Sequence, residues 1–152
     1  MEKRSKGKFT KQIMKLIENP DLNAINWTQV LALYDAVNWD SRTKSDVQFA
    51  FNKSTFIGII TVKDRIVGMG RTFDDGLYYG TICDLIIHPD FQGMGYGTLI
   101  LNNLKDRMKG FQFITLTAAP GKAPFYIKMG WAGQTSAFIW PVDEKQKEEH
   151  SA

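Results

Sequence analysis

The chain has 152 residues, 43% of them hydrophobic and 23% charged, with 19 Lys+Arg against 16 Asp+Glu for a net charge of +3. That size and mix suit one compact domain with a core of its own and exclude disorder throughout. No run approaches the roughly 18 apolar residues of a membrane span, and no signal-peptide-like apolar run follows the opening Met1-Glu2-Lys3-Arg4-Ser5-Lys6-Gly7-Lys8, so the chain reads as cytoplasmic. A lone Cys83 and the distant His88 and His150 offer neither a disulfide nor metal-ligand spacing, so no metal is expected. The basic excess sits near the start of the chain and forms no stripe along an element; nucleic acid is not an expected partner.

Residues 1–10 and 143–152 are polar or charged and read as flexible tails of a single domain spanning 1–152. Lys11–Ile17 reads as a short strand ended by Asn19-Pro20-Asp21. Trp27–Val37 places Trp27, Leu31 and Tyr34 along one helical face, with Asn26 or Thr28 as cap. A second helix runs from about Ser45, its cap candidate, to about Lys53. Thr55–Val62 and Ile66–Thr72 form a hairpin of β-branched strands about Lys63-Asp64-Arg65. After the Asp74-Asp75-Gly76 turn, Tyr78–Ile87 is a third strand, stopped by His88-Pro89. A helix then extends to Lys109-Gly110, followed by a strand Phe113–Thr117, a short helix around Pro124–Met129 and a final strand near Ala137–Trp140. The whole is a mixed α/β (α+β) domain containing an antiparallel meander.

The segment richest in chemistry is Asp84-Leu85-Ile86-Ile87-His88-Pro89-Asp90-Phe91-Gln92-Gly93-Met94-Gly95-Tyr96-Gly97-Thr98, a strand leading through alternating glycines into an amphipathic helix. Glycines let the backbone take positive φ and approach a ligand, while the first helical turn aims unpaired N–H groups at the same point. A phosphate suits such a place. The dinucleotide fingerprint Gly-x-Gly-x-x-Gly fails, because its third glycine would fall on Thr98 or Ile100, and the Gly-Lys-Ser/Thr of nucleotide triphosphatases is absent. What remains is Gln92-x-x-Gly95-x-Gly97, preceded by His88-Pro89 and followed downstream by Phe125-Tyr126-Ile127-Lys128-Met129-Gly130-Trp131.

On these motifs and on the element order over most of residues 11–141, the chain resembles the GNAT superfamily of acyl-CoA-dependent acyltransferases. The resemblance implies a mostly antiparallel central sheet with helices on both faces, acetyl-CoA as co-substrate, and transfer to an amine. It implies that Gln92, Gly93, Met94, Gly95, Tyr96, Gly97 and Thr98 hold the pyrophosphate. Leu85, Ile86 and Ile87 would pair with the pantetheine arm as an added strand would. Tyr126 stands where many members carry the general acid that protonates the departing thiolate. Asp84 is the candidate base, against the alternative that it caps a turn or pairs with a basic neighbour.

Other residues admit simpler readings. His88 shapes the turn before Pro89, and Cys83 is a buried spectator. Tyr78, Tyr79, Trp39, Phe73 and Trp131 either line an acceptor pocket or belong to the core. Asp74 and Asp75 either meet a cationic amine or solvate a turn. The Ala118-Ala119-Pro120-Gly121-Lys122-Ala123-Pro124 stretch departs from the family pattern, leaving Lys122 facing either a phosphate or water. The acceptor is expected to be a primary amine of a small molecule; the alternatives are a protein or aminoacyl-tRNA amine, or a chain that binds acyl-CoA without turnover. The apolar Phe138-Ile139-Trp140 segment suggests a homodimer.

Overall fold

The computed structural model describes residues 13–39 and 41–152; the basic opening segment expected as a tail lies outside the described residues. The chain divides into two compact units between Thr115 and Leu116. The first unit is built on a five-stranded sheet ordered β1-β2-β3-β4-β5, with β1 at Met14–Glu18, β2 at Ile57–Val62, β3 at Arg65–Asp74, β4 at Tyr79–Ile87 and β5 at Phe113–Leu116. The first four strands pair antiparallel in sequence order. Phe113 N–H donates to Tyr78 C=O at 2.9 Å, so β5 begins level with the start of β4.

Helices cover both faces of this sheet, as expected. Helix α1, Trp27–Ala36, begins at Asn26, whose side chain accepts from Gln29 N–H. Helix α2, Lys44–Asn52, is capped by Thr43 and not by Ser45, the cap read from the sequence. Thr43 is favoured because its hydroxyl accepts from Asp46 N–H and donates to the Asp46 carboxylate, tying both ends of the first turn together. Trp27, Val30, Leu33 and Tyr34 of α1 and Val47 and Phe51 of α2 pack with Ile57, Ile59, Met69 and Ile86 into one core. All six residues of β2 are buried, which explains why Thr61 is its only polar side chain.

Helix α3, Tyr96–Arg107, lies across the other face on a floor of glycines. Gly58 pairs with Gly70, and Gly68 faces Ile60, so the three form one small-residue patch. A Cβ on Gly70 would come within 2.9 Å of Ile100 Cγ2 and 3.0 Å of Leu104 Cδ1. Glycine is needed there because the helix comes that close.

The second unit holds α4, Ala123–Lys128, and α5, Glu144–His150. Two expectations are corrected in it. The final strand near 137–140 is not formed: the segment is irregular, and Phe138 and Trp140 are 97% and 94% exposed. An apolar run becomes a strand only where an edge is presented to it, and composition does not encode the edge. The charged end, expected as a tail, is helical over α5. Asp143 accepts from Gln146 N–H while the Gln146 side chain accepts from Val142 N–H, a reciprocal cap that composition alone conceals.

The glycine floor makes a direct prediction. Gly70→Val is expected to lower stability by about 1–3 kcal/mol through overpacking against α3. Gly58→Ala, whose new Cβ would meet Ile100 Cγ2 at an ordinary 3.5 Å, should change the urea midpoint far less.

Candidate active site

The strand-to-helix crossing begins where β4 ends. His88 N–H donates to Val67 C=O, and the His88 Nδ1 accepts from Asp90 N–H at 3.2 Å, opening a single 3-10 turn at Pro89–Phe91. His88 is thus the turn-shaping residue of the simpler reading. Gln92 follows, and its side-chain amide donates to Ile87 C=O at 3.0 Å, tying the loop back to the last residue of the strand. Gly93 and Gly95 then take φ of +78° and +84°. A Cβ at either would meet nothing within 4 Å, so these glycines serve backbone shape and leave open space beside the loop. Gly95 is the N-cap of α3 and supplies no side-chain cap. A concave run of main chain, an uncapped helix start and open space before it form an anion seat.

Beside the loop, β4 lies between β3 and β5 in the sheet. β5 begins level with Tyr78, and Leu85, Ile86 and Ile87 are the last three residues of the nine-residue β4.

Asp84 sits at the irregularity of this strand. Arg71 pairs with Cys83 and Met69 with Ile86, so Gly70 alone faces both Asp84 and Leu85. The extra residue, Asp84, has φ +52°, in the left-handed region. The bulge turns its side chain toward α1, where it is 8% exposed. Its Oδ2 accepts from Arg71 Nε at 2.7 Å and from the Tyr34 hydroxyl at 2.8 Å, and its Oδ1 lies 3.4 Å from Arg42 Nη2. Of the two expectations for Asp84, pairing with a basic neighbour is the arrangement present. Burial, followed by the Asp84 charge, pushes the Tyr34 phenol well above its ordinary value and keeps it a donor. Desolvation alone would lower the Arg71 value, but Cys83 and Asp84 outweigh it and the value stands raised.

Sequence reading missed Arg71, Arg42 and Tyr34. Tyr34 is separated from Asp84 by 50 positions and Arg71 by 13, and no local pattern joins them. Arg42 stacks 4.7 Å above the Tyr34 ring and 5.9 Å above Trp39, one of the aromatics weighed for an acceptor pocket. Burial raises the Cys83 thiol, which leaves it protonated, as befits a spectator.

In the second unit, Tyr126 lies on α4 next to Phe125, with ring centroids 5.0 Å apart. Desolvation raises its phenol, so it holds a proton at neutral pH. The downstream glycine has a defined job: Gly130, at φ +88°, closes α4, with Gly130 N–H donating to Ile127 C=O and Trp131 N–H to Tyr126 C=O. The Phe-Tyr-x-x-x-Gly-Trp pattern is therefore a helix bearing a tyrosine together with its stop signal. Lys122 stands exposed at the N-cap position of α4 without a side-chain capping bond.

A mostly antiparallel sheet whose bulged strand leads into a glycine-shaped helix start without a side-chain cap offers a place suited to an anion. Comparison with known proteins gives the family. A model of the acetyltransferase (GNAT) domain matches residues 34–139. The chain is 36% identical over 113 residues to an uncharacterized N-acetyltransferase, ycf52, of Pyropia yezoensis, covering 70% of this chain and 65%, just under two thirds, of that relative's length. It is 33% identical over 129 residues to its namesake in Porphyra purpurea, covering 81% of this chain and 74% of that one. A Staphylococcus aureus protein designated a probable acetyltransferase shares the fold, with TM-score 0.75 at 21% identity over 86% of this chain and 99% of its own. The chain belongs to the GNAT acetyltransferase family.

The turn before β4 supplies a prediction. Asp75 Oδ1 accepts from Leu77, Tyr78 and Tyr79 N–H, and these backbone bonds, Leu77 first, lower its pKa below 3.8. Asp74 likewise accepts from Gly76 N–H, so both carboxylates shape the turn. A depressed folded value means that the Asp75 contribution is complete above 3.8 and disappears as pH falls through the folded value. Denaturation of the native chain and of Asp75→Ala across an acid series should show a stability gap at pH 6 that narrows only below about 3.8.

Proposed function

We propose that this chain transfers an acetyl group from acetyl-CoA to a primary amine of a small molecule. The observation carrying this reading is the anion seat: Gly93 and Gly95 at positive φ with open space beside them, leading into a helix start that no side chain caps. Such a seat fits a diphosphate, held by main-chain N–H groups of Gly93, Met94, Gly95, Tyr96, Gly97 and Thr98. Gln92 serves this seat by fixing the loop to Ile87. The β4 segment Leu85, Ile86 and Ile87, directly before this loop, suits the amide-bearing arm of the same molecule, whose backbone-like groups need partners.

Acetyl-CoA would supply an acetyl group activated as a thioester. The chain's own part is to place and polarise it. The main-chain N–H of Leu85, on the edge away from β3, is the donor for the carbonyl oxygen on which negative charge gathers. Tyr126 is the hydroxyl that gives its proton to the departing sulfur; burial raises its phenol, so it rests protonated. Both oxygens of Asp84 are engaged by Arg71, Tyr34 and Arg42, which favours solvent as the acceptor of the amine's proton.

The test is release of free thiol from acetyl-CoA with a panel of amines. Tyr126→Phe should lower kcat by about 100-fold or more with little change in KM for acetyl-CoA. An unchanged rate would remove Tyr126 from the reaction. Gly95→Val places a β-branched side chain at φ +84° and is expected to weaken coenzyme A binding about tenfold or more in calorimetry. Native affinity in that variant would dismiss the loop as the phosphate seat, and tight binding with no thiol release for any amine would favour a binding protein over an enzyme.

A further inference from the structure

The bulge in β4 raises a question of residue choice. A single extra residue at φ +52° is a position that glycine adopts freely and most L side chains avoid. Aspartate stands there instead, with its carboxylate turned into the molecule and 8% exposed. Three separate segments converge on it: Arg71 from β3, Tyr34 from α1, and Arg42 from the connection between α1 and α2. Arg71 is itself anchored, since its Nη1 donates to the Ser54 hydroxyl at 3.2 Å. A buried carboxylate held by two donors and faced by a further cation is a clamp on its own backbone.

We propose that Asp84 is a positioning residue of the transfer site: its carboxylate, gripped by Arg71 and Tyr34 and faced by Arg42, holds the left-handed kink that aims the Leu85 amide, on the edge away from β3, at the acyl oxygen. The proposal rests on the reading of β4 as the strand beside the thioester. The physical link is short, because Leu85 and Ile86 follow the kinked residue directly and the direction of their N–H groups is set by its φ and ψ. Without the clamp the strand can relax toward regular pleating, which redirects every amide beyond the bulge. The strain at Asp84 is thus sustained by its side-chain partners. Arg42 extends the clamp to the surface: its side chain is 38% exposed, so the loop that carries it is coupled to the amides through Asp84.

The test measures the amides directly. Tyr34→Phe removes one grip while leaving the ring in the core. It should displace the 1H–15N peaks of Leu85 and Ile86 and lower kcat about tenfold, with KM for acetyl-CoA within about twofold. Asp84→Asn tolerates left-handed backbone and retains an acceptor oxygen. It should displace the amide peaks and lower kcat less than Asp84→Ala does, and keep the shape of the rate–pH profile. Asp84→Ala should lose both the native peak positions and the rate. Unmoved Leu85 and Ile86 peaks in both Tyr34→Phe and Asp84→Ala would overturn the proposal. It would also be overturned if Asp84→Asn abolished transfer and stripped the acid limb from the profile, as loss of a general base does. Should the native chain transfer nothing, the transferase reading falls, while the amide peaks of the same variants still decide the clamp.

Discussion

A buried carboxylate satisfied by an arginine and a tyrosine from distant parts of the chain is the interaction around which the first unit is organised. The Asp84–Arg71–Tyr34 contacts join β4 to β3 and to α1 across the face opposite α3. Removing one partner from such a cluster leaves the other charged and desolvated, at a cost of roughly 3–5 kcal/mol. The cluster sits one residue before the strand edge and a few before the glycine loop. Its energetics and the geometry of the functional strand therefore cannot be varied independently.

The two faces of the sheet solve different problems. On the α1 and α2 face, large side chains interlock, with Trp27 and Phe51 meeting edge to face at 5.5 Å. On the α3 face, the glycine patch at 58, 68 and 70 lets the helix lie close to the strands. That close seating fixes the start of α3, and the start of α3 is one wall of the anion seat. Arg107 near the other end of the helix donates to Ile57 C=O and to the Asn19 side chain, which secures the helix along its length. Packing at one end and hydrogen bonding at the other thus set where the Gly95 cap falls.

Much of the candidate site was legible in local residue choice. Alternating glycines after a strand, Pro89 as a strand stop, and a glycine closing a short tyrosine-bearing helix each impose a backbone conformation on their own neighbourhood. Gln92 was legible as part of a motif, but its bond to Ile87 C=O shows a loop-fixing role that the motif does not announce. Arg71, Arg42 and Tyr34 were not legible. Each looks like an ordinary strand, loop or helix residue until the fold brings it to Asp84. The same limit explains the two misread ends of the second unit. Phe138-Ile139-Trp140 has strand-like residues but forms no strand, and α5 is held by Asp143, Gln146 and spaced ion pairs such as Lys147–Glu144 within a stretch whose composition suggests solvated chain.

The sequence by itself determined which segments are helices and strands through most of the first unit, where the glycine-shaped loop meets its helix, and which family the chain resembles. Those are consequences of φ restriction, capping and apolar period, which act over a few neighbouring residues. Only the tertiary structure decided that β4 is bulged at Asp84 and that its carboxylate is already partnered. Hydrogen bonds and ion pairs between residues far apart in sequence depend on where whole elements pack, and no local rule of residue type specifies that placement.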